Sequence, residues 1–234
     1  MCPTISRPIG PNALDRFLGD SLWARALTAA QLDRVKTEIV QRECPTGGFV
    51  CRRGEAVEHW IGVIDGLVKM MISTPSGRAS TFTGIPAGGW FGEGSLLKTE
   101  ARRYDVVALR ESRIVRVPRR TFEWLLNTSI PFNRFLLVQL NERLGQFIGM
   151  LEAQRLHDPD ARVARCVAGL FNPILYPGIG KKLEVSQEEI GYLAGISRQR
   201  VNQALQTLQQ AGLIKVEYGA IVIEDLAGLR RYGA

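Results

Sequence analysis

The spacing of apolar positions divides the chain into regions of different texture. Up to about residue 42, Leu22, Ala26, Leu27, Leu32, Val35 and Ile39 recur near the helical period, which predicts short helices. Thr28, with Gln31 three residues on, has the form of a capping box opening one of them. From about 46 to 118 the pattern changes to short strand-like runs between glycines, at 60–64, 67–72, 104–109 and 112–117. Short strands at regular spacing, with turn residues between them, predict a barrel or jelly roll. Asp65-Gly66 carries the signature of a tight hairpin.

Residues from about 119 to 156 turn helical again. A short helix is expected over 119–126, and a long one after Pro131 through about Gln154. Within the long helix Leu137, Leu140, Leu144, Phe147 and Leu151 alternate spacings of three and four, a narrow seam of the kind that pairs two helices. Such a helix either packs on its own β domain or pairs with its twin in a homodimer. Its length and its place between domains favour the twin. Asp158-Pro159-Asp160 interrupts the helix, because proline lacks the N–H donor and disfavours helical geometry before it. A helix restarts over 160–176 with Val163, Val167 and Leu170 on one face, and Pro173, Pro177, Gly178 and Gly180 mark a loop.

The most specific pattern lies at 185–205. Ser186 with Glu189 is a capping box, Gly195 can take the positive φ of a sharp turn, and Ser197 is placed to cap a second helix. Gly191 is small where the two helices would cross, and Ile190, Ile196 and Val201 are apolar where they would pack. Two short helices joined in this way form a helix-turn-helix, whose second helix enters the DNA major groove. Arg198, Gln199, Arg200, Asn202 and Gln203 fall in its first two turns. Arginine can take guanine O6/N7 bidentately and glutamine can take adenine N6/N7, while Arg200 or Asn202 can instead hold phosphate. The alternative is an ordinary helical hairpin with a solvated polar face. Residues 213–223 read as a hairpin wing, which favours the DNA-binding reading.

Composition narrows the classes. With 45% hydrophobic and 23% charged residues, the 234-residue chain has the balance of a soluble globular protein. No stretch approaches the roughly 18–20 apolar residues of a membrane helix, and the first residues lack an apolar signal core, so neither a membrane partner nor export is expected. Cys2, Cys44, Cys51 and Cys166 are too scattered for a disulfide scaffold. His59 and His157 are far apart, so no metal site is expected, and no catalytic motif is found. The net charge of +7 suggests a polyanionic partner. Yet residues 158–234 hold nine Lys+Arg against eight Asp+Glu, and residues 1–157 hold 21 against 15. The excess therefore lies mostly outside the helix-turn-helix region. Part of it is the run Arg110, Arg113, Arg116, Arg119 and Arg120, read as a solvated face.

With these motifs in place the chain resembles the cAMP receptor protein/FNR (Crp/Fnr) superfamily of bacterial transcription regulators over nearly its whole length. Residues 48–55 and 60–69 resemble the first β-roll signature, Gly88-Gly89-Trp90-Phe91-Gly92-Glu93 the effector-pocket turn, and Arg162-Val163-Ala164 the helix opening the DNA-binding domain. The resemblance implies an α+β fold: a β-roll sensor over 1–130, a dimerisation helix over 131–157 and a winged helix-turn-helix over 158–234. It implies a cytoplasmic homodimer, with no enzymatic activity, that binds a palindromic operator in double-stranded DNA. RNA polymerase would be a partner if the protein activates.

The departures bear on the effector. The resemblance assigns Gly92, Glu93, Arg103, Tyr104, Phe147 and Ile148 to the pocket, and Ser186, Ser197, Arg198, Gln199, Arg200, Asn202 and Gln203 to DNA. Tyr104 replaces a small hydroxyl residue beside the arginine, and Asp105 follows it. Phe147 and Ile148 replace a Thr-Ser pair that contacts adenine and cannot donate its hydrogen bonds. These changes argue against cAMP and leave an unidentified small-molecule effector, or none. In the reading helix, Gln199 and Gln203 stand where the cAMP receptor protein carries Glu and Arg, so a different half-site is expected. The cysteine spacing does not match the iron–sulfur branch. A thiol sensor using Cys2 or Cys44 stays open, as does a cyclic-nucleotide-binding module acting on another protein. A cupin-like metalloenzyme lacks the histidines it needs.

Overall fold

The computed structural model describes residues 11–73, 79–155 and 158–233. The chain enters through α1 (Pro11–Asp20), α2 (Leu22–Arg25) and α3 (Ala29–Glu38). The capping box at α3 is complete: Thr28 Oγ1 accepts the Gln31 N–H at 3.3 Å, and Gln31 Oε1 accepts the Thr28 N–H at 3.0 Å. There follow β1 (Val40–Cys44), β2 (Phe49–Cys51), β3 (His59–Asp65), β4 (Leu67–Ser73), β5 (Ala79–Pro86), β6 (Trp90–Phe91), a short α4 (Glu93–Lys98), β7 (Asp105–Ala108) and β8 (Ser112–Pro118). The strands begin earlier than the apolar pattern predicts, because β1 is mostly half-exposed and pairs only with β8.

Two antiparallel sheets, ordered β1-β8-β3-β6 and β2-β7-β4-β5, close a β-roll. Alternate residues of both point inward, burying Val50, Ile61, Val63, Val68, Val106 and Ile114 in one core. Asp65-Gly66 is not a hairpin turn. β3 and β4 belong to different sheets, and Gly66 carries the chain across the corner between them. Its φ of +101° and the Ser112 side chain packed against it both require glycine. The dipeptide signals the sharp turn but not which strands it joins.

The second half comprises α5 (Arg119–Thr128), α6 (Ile130–Arg155), α7 (Pro159–Leu170), β9 (Lys182–Glu184), α8 (Gln187–Ala194), α9 (Arg198–Gln210), β10 (Ile214–Glu217), β11 (Ala220–Ile223) and α10 (Leu226–Arg231). Trp23, Trp60, Trp90, Phe122 and Phe132 bind α2, α5 and α6 to the roll, with Trp60 and Trp90 centroids 4.3 Å apart. Such aromatic pairs add about 1 kcal/mol each beyond their burial. Pro159 opens α7 at a position where no N–H is needed, and Asp158 accepts the Asp160 N–H at 2.9 Å. Val163, Val167, Ile190, Val201 and Leu205 join α7, α8 and α9 in a second core. It is flanked by the sheet β10-β11-β9.

The two halves interlock. Tyr176, in the loop after α7, is fully buried in the β-roll core and donates its hydroxyl to the Gly84 carbonyl at 3.1 Å. Leu67 of β4 belongs to the core of the helical half.

Candidate nucleic-acid interface and sensor pocket

The helix-turn-helix follows its local signals. Ser186 Oγ accepts the Glu189 N–H at 3.2 Å, and Glu189 Oε2 accepts the Ser186 N–H at 2.7 Å, completing the box that opens α8. Gly195 ends α8 at φ +66°, and Arg162 braces the turn by donating to the Ala194 carbonyl at 2.6 Å. Ser197 Oγ accepts the Arg200 N–H at 3.3 Å and starts α9. A Cβ on Gly191 would lie 3.0 Å from the Ile196 carbonyl oxygen, so α8 meets the turn at a distance that favours glycine. Both serine hydroxyls keep their own proton for an outside acceptor.

On α9, Val201, Ala204, Leu205 and Leu208 face the core, which leaves Arg198, Gln199, Asn202, Gln203 and Gln206 exposed. Gln206 continues the face set by Gln199, Asn202 and Gln203 at helical spacing and was legible from that spacing alone. Arg200 has a partner within the chain. It forms a 2.7 Å ion pair with Asp160 of α7 and is less exposed than its neighbours. Asn202 Oδ1 accepts from Gln187 Nε2 at 3.0 Å, which holds its amide in one orientation. Tyr218 stands fully exposed at the tip of the β10–β11 wing.

The sensor end differs from the sequence reading at two residues. Glu93 opens α4 after Gly92 (φ +98°) and is buried. Its partner is Arg143 of α6, at 3.5 Å. Arg143 also donates to the Trp90 carbonyl at 2.7 Å. Arg103, expected in the pocket, points outward and donates to both carboxylate oxygens of Glu100 at 2.9 Å. The buried guanidinium is Arg102, packed against Gly92 and donating to the His59 carbonyl at 2.8 Å. The two arginines are adjacent in the segment before β7, so a one-residue shift in alignment exchanges the inner and the outer one. Tyr104 turns inward, and burial together with the Glu93 carboxylate pushes its hydroxyl up to about 12.

Glu93 Oε2, Arg102 Nη1, Arg143 Nη1 and Gln146 Oε1 are buried without hydrogen-bond partners among the described residues. Native proteins leave few such groups, so these four set this part of the β-roll apart from a fully satisfied core.

On α6, Phe147 packs against the β-roll core, whereas Ile148, the other expected pocket residue, is 60% exposed. Successive helical residues lie about 100° apart, so within one chain the two face different surroundings. Leu137, Leu144 and Leu151 are 69%, 58% and 51% exposed at intervals of seven, with Val138 and Ile148 beside them. Leu140 and Phe147 are half-buried and turn away from this stripe. The exposed apolar stripe therefore differs from the predicted seam, leaving out Leu140 and Phe147 and adding Val138 and Ile148.

The arginine run is not a free solvated face. Arg110 pairs with Glu189, Arg113 with Asp65 at 3.1 Å, and Arg120 with Glu38 at 3.3 Å. Arg116 donates to the Val50 carbonyl and Arg119 to that of Val57, each at 3.0 Å. Cys44, Cys51 and Cys166 are buried, and burial pushes Cys51 to about 11 and Cys166 to about 12. His59 is half-buried in β3, and burial holds its imidazole below the usual value. Cys2 and His157 lie outside the described residues. No helix among the described residues is long and apolar enough to cross a membrane.

A β-roll joined by a long helix to a winged helix-turn-helix defines a ligand-responsive class of DNA-binding regulator. The cyclic nucleotide-binding domain family matches residues 41–129, and the Crp-like helix-turn-helix domain family matches residues 142–232. The chain belongs to the Crp/Fnr superfamily, whose characterised relatives here are transcriptional regulators rather than enzymes. It is 28% identical over 221 residues to a CRP-like cAMP-activated global transcriptional regulator of Mycobacterium tuberculosis, covering 93% of this chain and 99% of that one. The fold is shared with FixK2 from Bradyrhizobium japonicum (TM-score 0.66, 18% identity, 84% of this chain and 98% of that one). It is also shared with the c-di-GMP responsive global regulator CLP of Xanthomonas campestris (TM-score 0.57, 24% identity, 84% and 99%).

Proposed function

We propose that the chain is a cytoplasmic homodimer that reads a palindromic DNA operator under control of an effector other than cAMP. The observation that carries this reading is the polar face of α9, held by capped and braced helix ends and exposed at Arg198, Gln199, Asn202 and Gln203. Arg198 and Gln199 contact base edges near the helix N-terminus, Gln203 and Gln206 extend the reading, and Ser186 and Ser197 contact phosphate. Arg200 positions α9 through Asp160.

The exposed stripe Leu137, Leu144, Ile148 and Leu151 pairs with its twin in a second copy, which sets the two reading helices roughly 34 Å apart, one turn of DNA. The working division is a sensor over 1–130, a dimer helix over 131–157 and a DNA-binding domain over 158–234.

The relative from Mycobacterium tuberculosis is described as cAMP-activated. The residues here favour another ligand. The resemblance gives the pocket-turn glutamate to the ribose hydroxyl of cAMP; in this chain Glu93 Oε1 faces Arg143 at 3.5 Å and Oε2 is left without a partner. Phe147 offers no hydrogen bond to adenine. The buried cluster around Glu93, Arg102 and Arg143 carries one net positive charge, which suits a small anion. If the protein activates, RNA polymerase is the further partner.

Selection of binding duplexes from a random pool, with and without cAMP, tests the reading. A two-fold symmetric motif whose affinity does not change with cAMP is expected. A cAMP-dependent motif would reassign the effector, and enrichment of no motif would overturn the DNA-binding role.

A further inference from the structure

The DNA-binding half is clamped to the β-roll. The turn between β7 and β8 projects Arg110, whose Nε and Nη2 donate to the two carboxylate oxygens of Glu189 on α8 at 2.8 and 2.5 Å. The Glu189 side chain is only 11% exposed, so the pair is shielded more than an ordinary surface ion pair, and its two-pronged geometry is directional. The same carboxylate closes the capping box at Ser186. One group therefore both starts the helix-turn-helix and ties it to the sensor. Beside it, the Lys69 ammonium of β4 stands 5.0 Å from the centre of the Tyr192 ring. On β5, a Cβ at Gly84 would lie 2.8 Å from Leu170 and 2.9 Å from Leu193, so the two halves touch with no spare room.

This clamp decides what α9 can reach. The N-terminus of α9 opens into a crevice of about 840 Å³. Lys69, Ser80 and Thr81 of the β-roll line one side, and Gly195, Ser197 and Arg198 line the other. A reading helix must place that same end inside a major groove about 12 Å wide, with the rest of the duplex beyond it. The end of α9 that would meet DNA therefore shares its crevice with β-roll residues.

We propose that this docked arrangement is autoinhibited, that the Arg110–Glu189 pair is its latch, and that α8 must leave the β-roll before α9 can read DNA. The proposal rests on the DNA-binding reading above. The pair suits the role because both partners have a route to water once separated, so the closed state is favoured without being locked. Any ligand that binds the open arrangement better than the closed one opens it. DNA is one such ligand, and an effector acting on the sensor is another.

The test uses full-length Arg110→Ala and Glu189→Gln variants. The amide introduced by Glu189→Gln keeps an acceptor for the Ser186 N–H, so α8 retains its cap while the charge pair is lost. Wild type and Arg110→Ala are each used to enrich duplexes from a random pool, and affinities for the enriched duplex are read by fluorescence anisotropy. Circular dichroism confirms that the variants fold. Each single variant is expected to bind about three- to tenfold more tightly than wild type, the size expected from releasing one shielded ion pair. The double variant is expected to bind no more tightly than either single one, because a single contact is lost. Folded variants that bind with equal or weaker affinity overturn the latch, while wild-type binding would still uphold the DNA reading. If neither wild type nor variants enrich any duplex, the DNA reading fails and the latch falls with it.

Discussion

Glu93 at the start of α4 and Arg143 in the middle of α6 form an ion pair at 3.5 Å with both side chains buried. The contact joins the turn before α4 in the β-roll to the helix that carries the exposed apolar stripe. A change at Glu93 is thus felt directly by α6. Removing one partner leaves the other charge buried and uncompensated, so Arg143→Ala should cost about 3 kcal/mol in urea unfolding. The double variant Glu93→Gln/Arg143→Met should recover much of that loss. A cost no larger than for a surface residue would show that water already screens the pair.

The two arginines of α9 should separate cleanly. Arg198→Ala is expected to lose roughly 1–3 kcal/mol of operator affinity and to relax preference at one base pair. Arg200→Ala removes the tie to Asp160 and should lower thermal stability, leaving base preference unchanged. Competition binding against single-base operator variants distinguishes these outcomes. Relaxed preference in Arg200→Ala would return that residue to direct reading.

The seam on α6 predicts an oligomeric state. Leu144→Glu places like charges face to face where two copies meet and should give a folded monomer in sedimentation equilibrium. Leu140→Glu strikes the half-buried flank and should destabilise the chain itself. A Leu144→Glu protein that stays dimeric would place the interface elsewhere.

Two thiols predict a pH dependence. Burial raises Cys51 to about 11 and Cys166 to about 12, above their ordinary value near 9. The folded state therefore holds protons that the unfolded state releases, so their contribution is full below pH 9 and is lost as pH climbs through 11 and 12. Unfolding free energy should fall over that window. At pH 8 an alkylating reagent should leave both cysteines unmodified until the chain is unfolded, as read by peptide mass spectrometry. Fast native labelling of either would contradict their burial.

What the sequence made legible was local. The capping boxes at Thr28–Gln31 and Ser186–Glu189, the turn at Gly195 and the cap at Ser197 each depend on residues within a few positions of one another. They appear in the fold as the spacing predicts. The buried polar cluster in the β-roll was less legible because its chemistry comes from distant segments. Nothing near Glu93 in the chain announces Arg143, fifty residues on, and only the path of the irregular segment before β7 decides between Arg102 and Arg103. The exposed stripe on α6 overlaps the expected seam only in part, because one helix carries apolar residues on two faces, Phe132 and Leu136 toward the roll and Leu137 and Leu144 away from it. Short spacings alone do not say which face meets which neighbour. The +7 charge pointed to a polyanion through arginines that are mostly paired within the roll.

The most direct test of the central claim is the stoichiometry and symmetry of the complex on an enriched duplex, measured by native mass spectrometry with half-site substitutions. Two chains per duplex are expected, with half-site centres one helical turn apart and a steep loss of affinity when either half-site is changed. A single chain bound without regard to sequence would contradict the account.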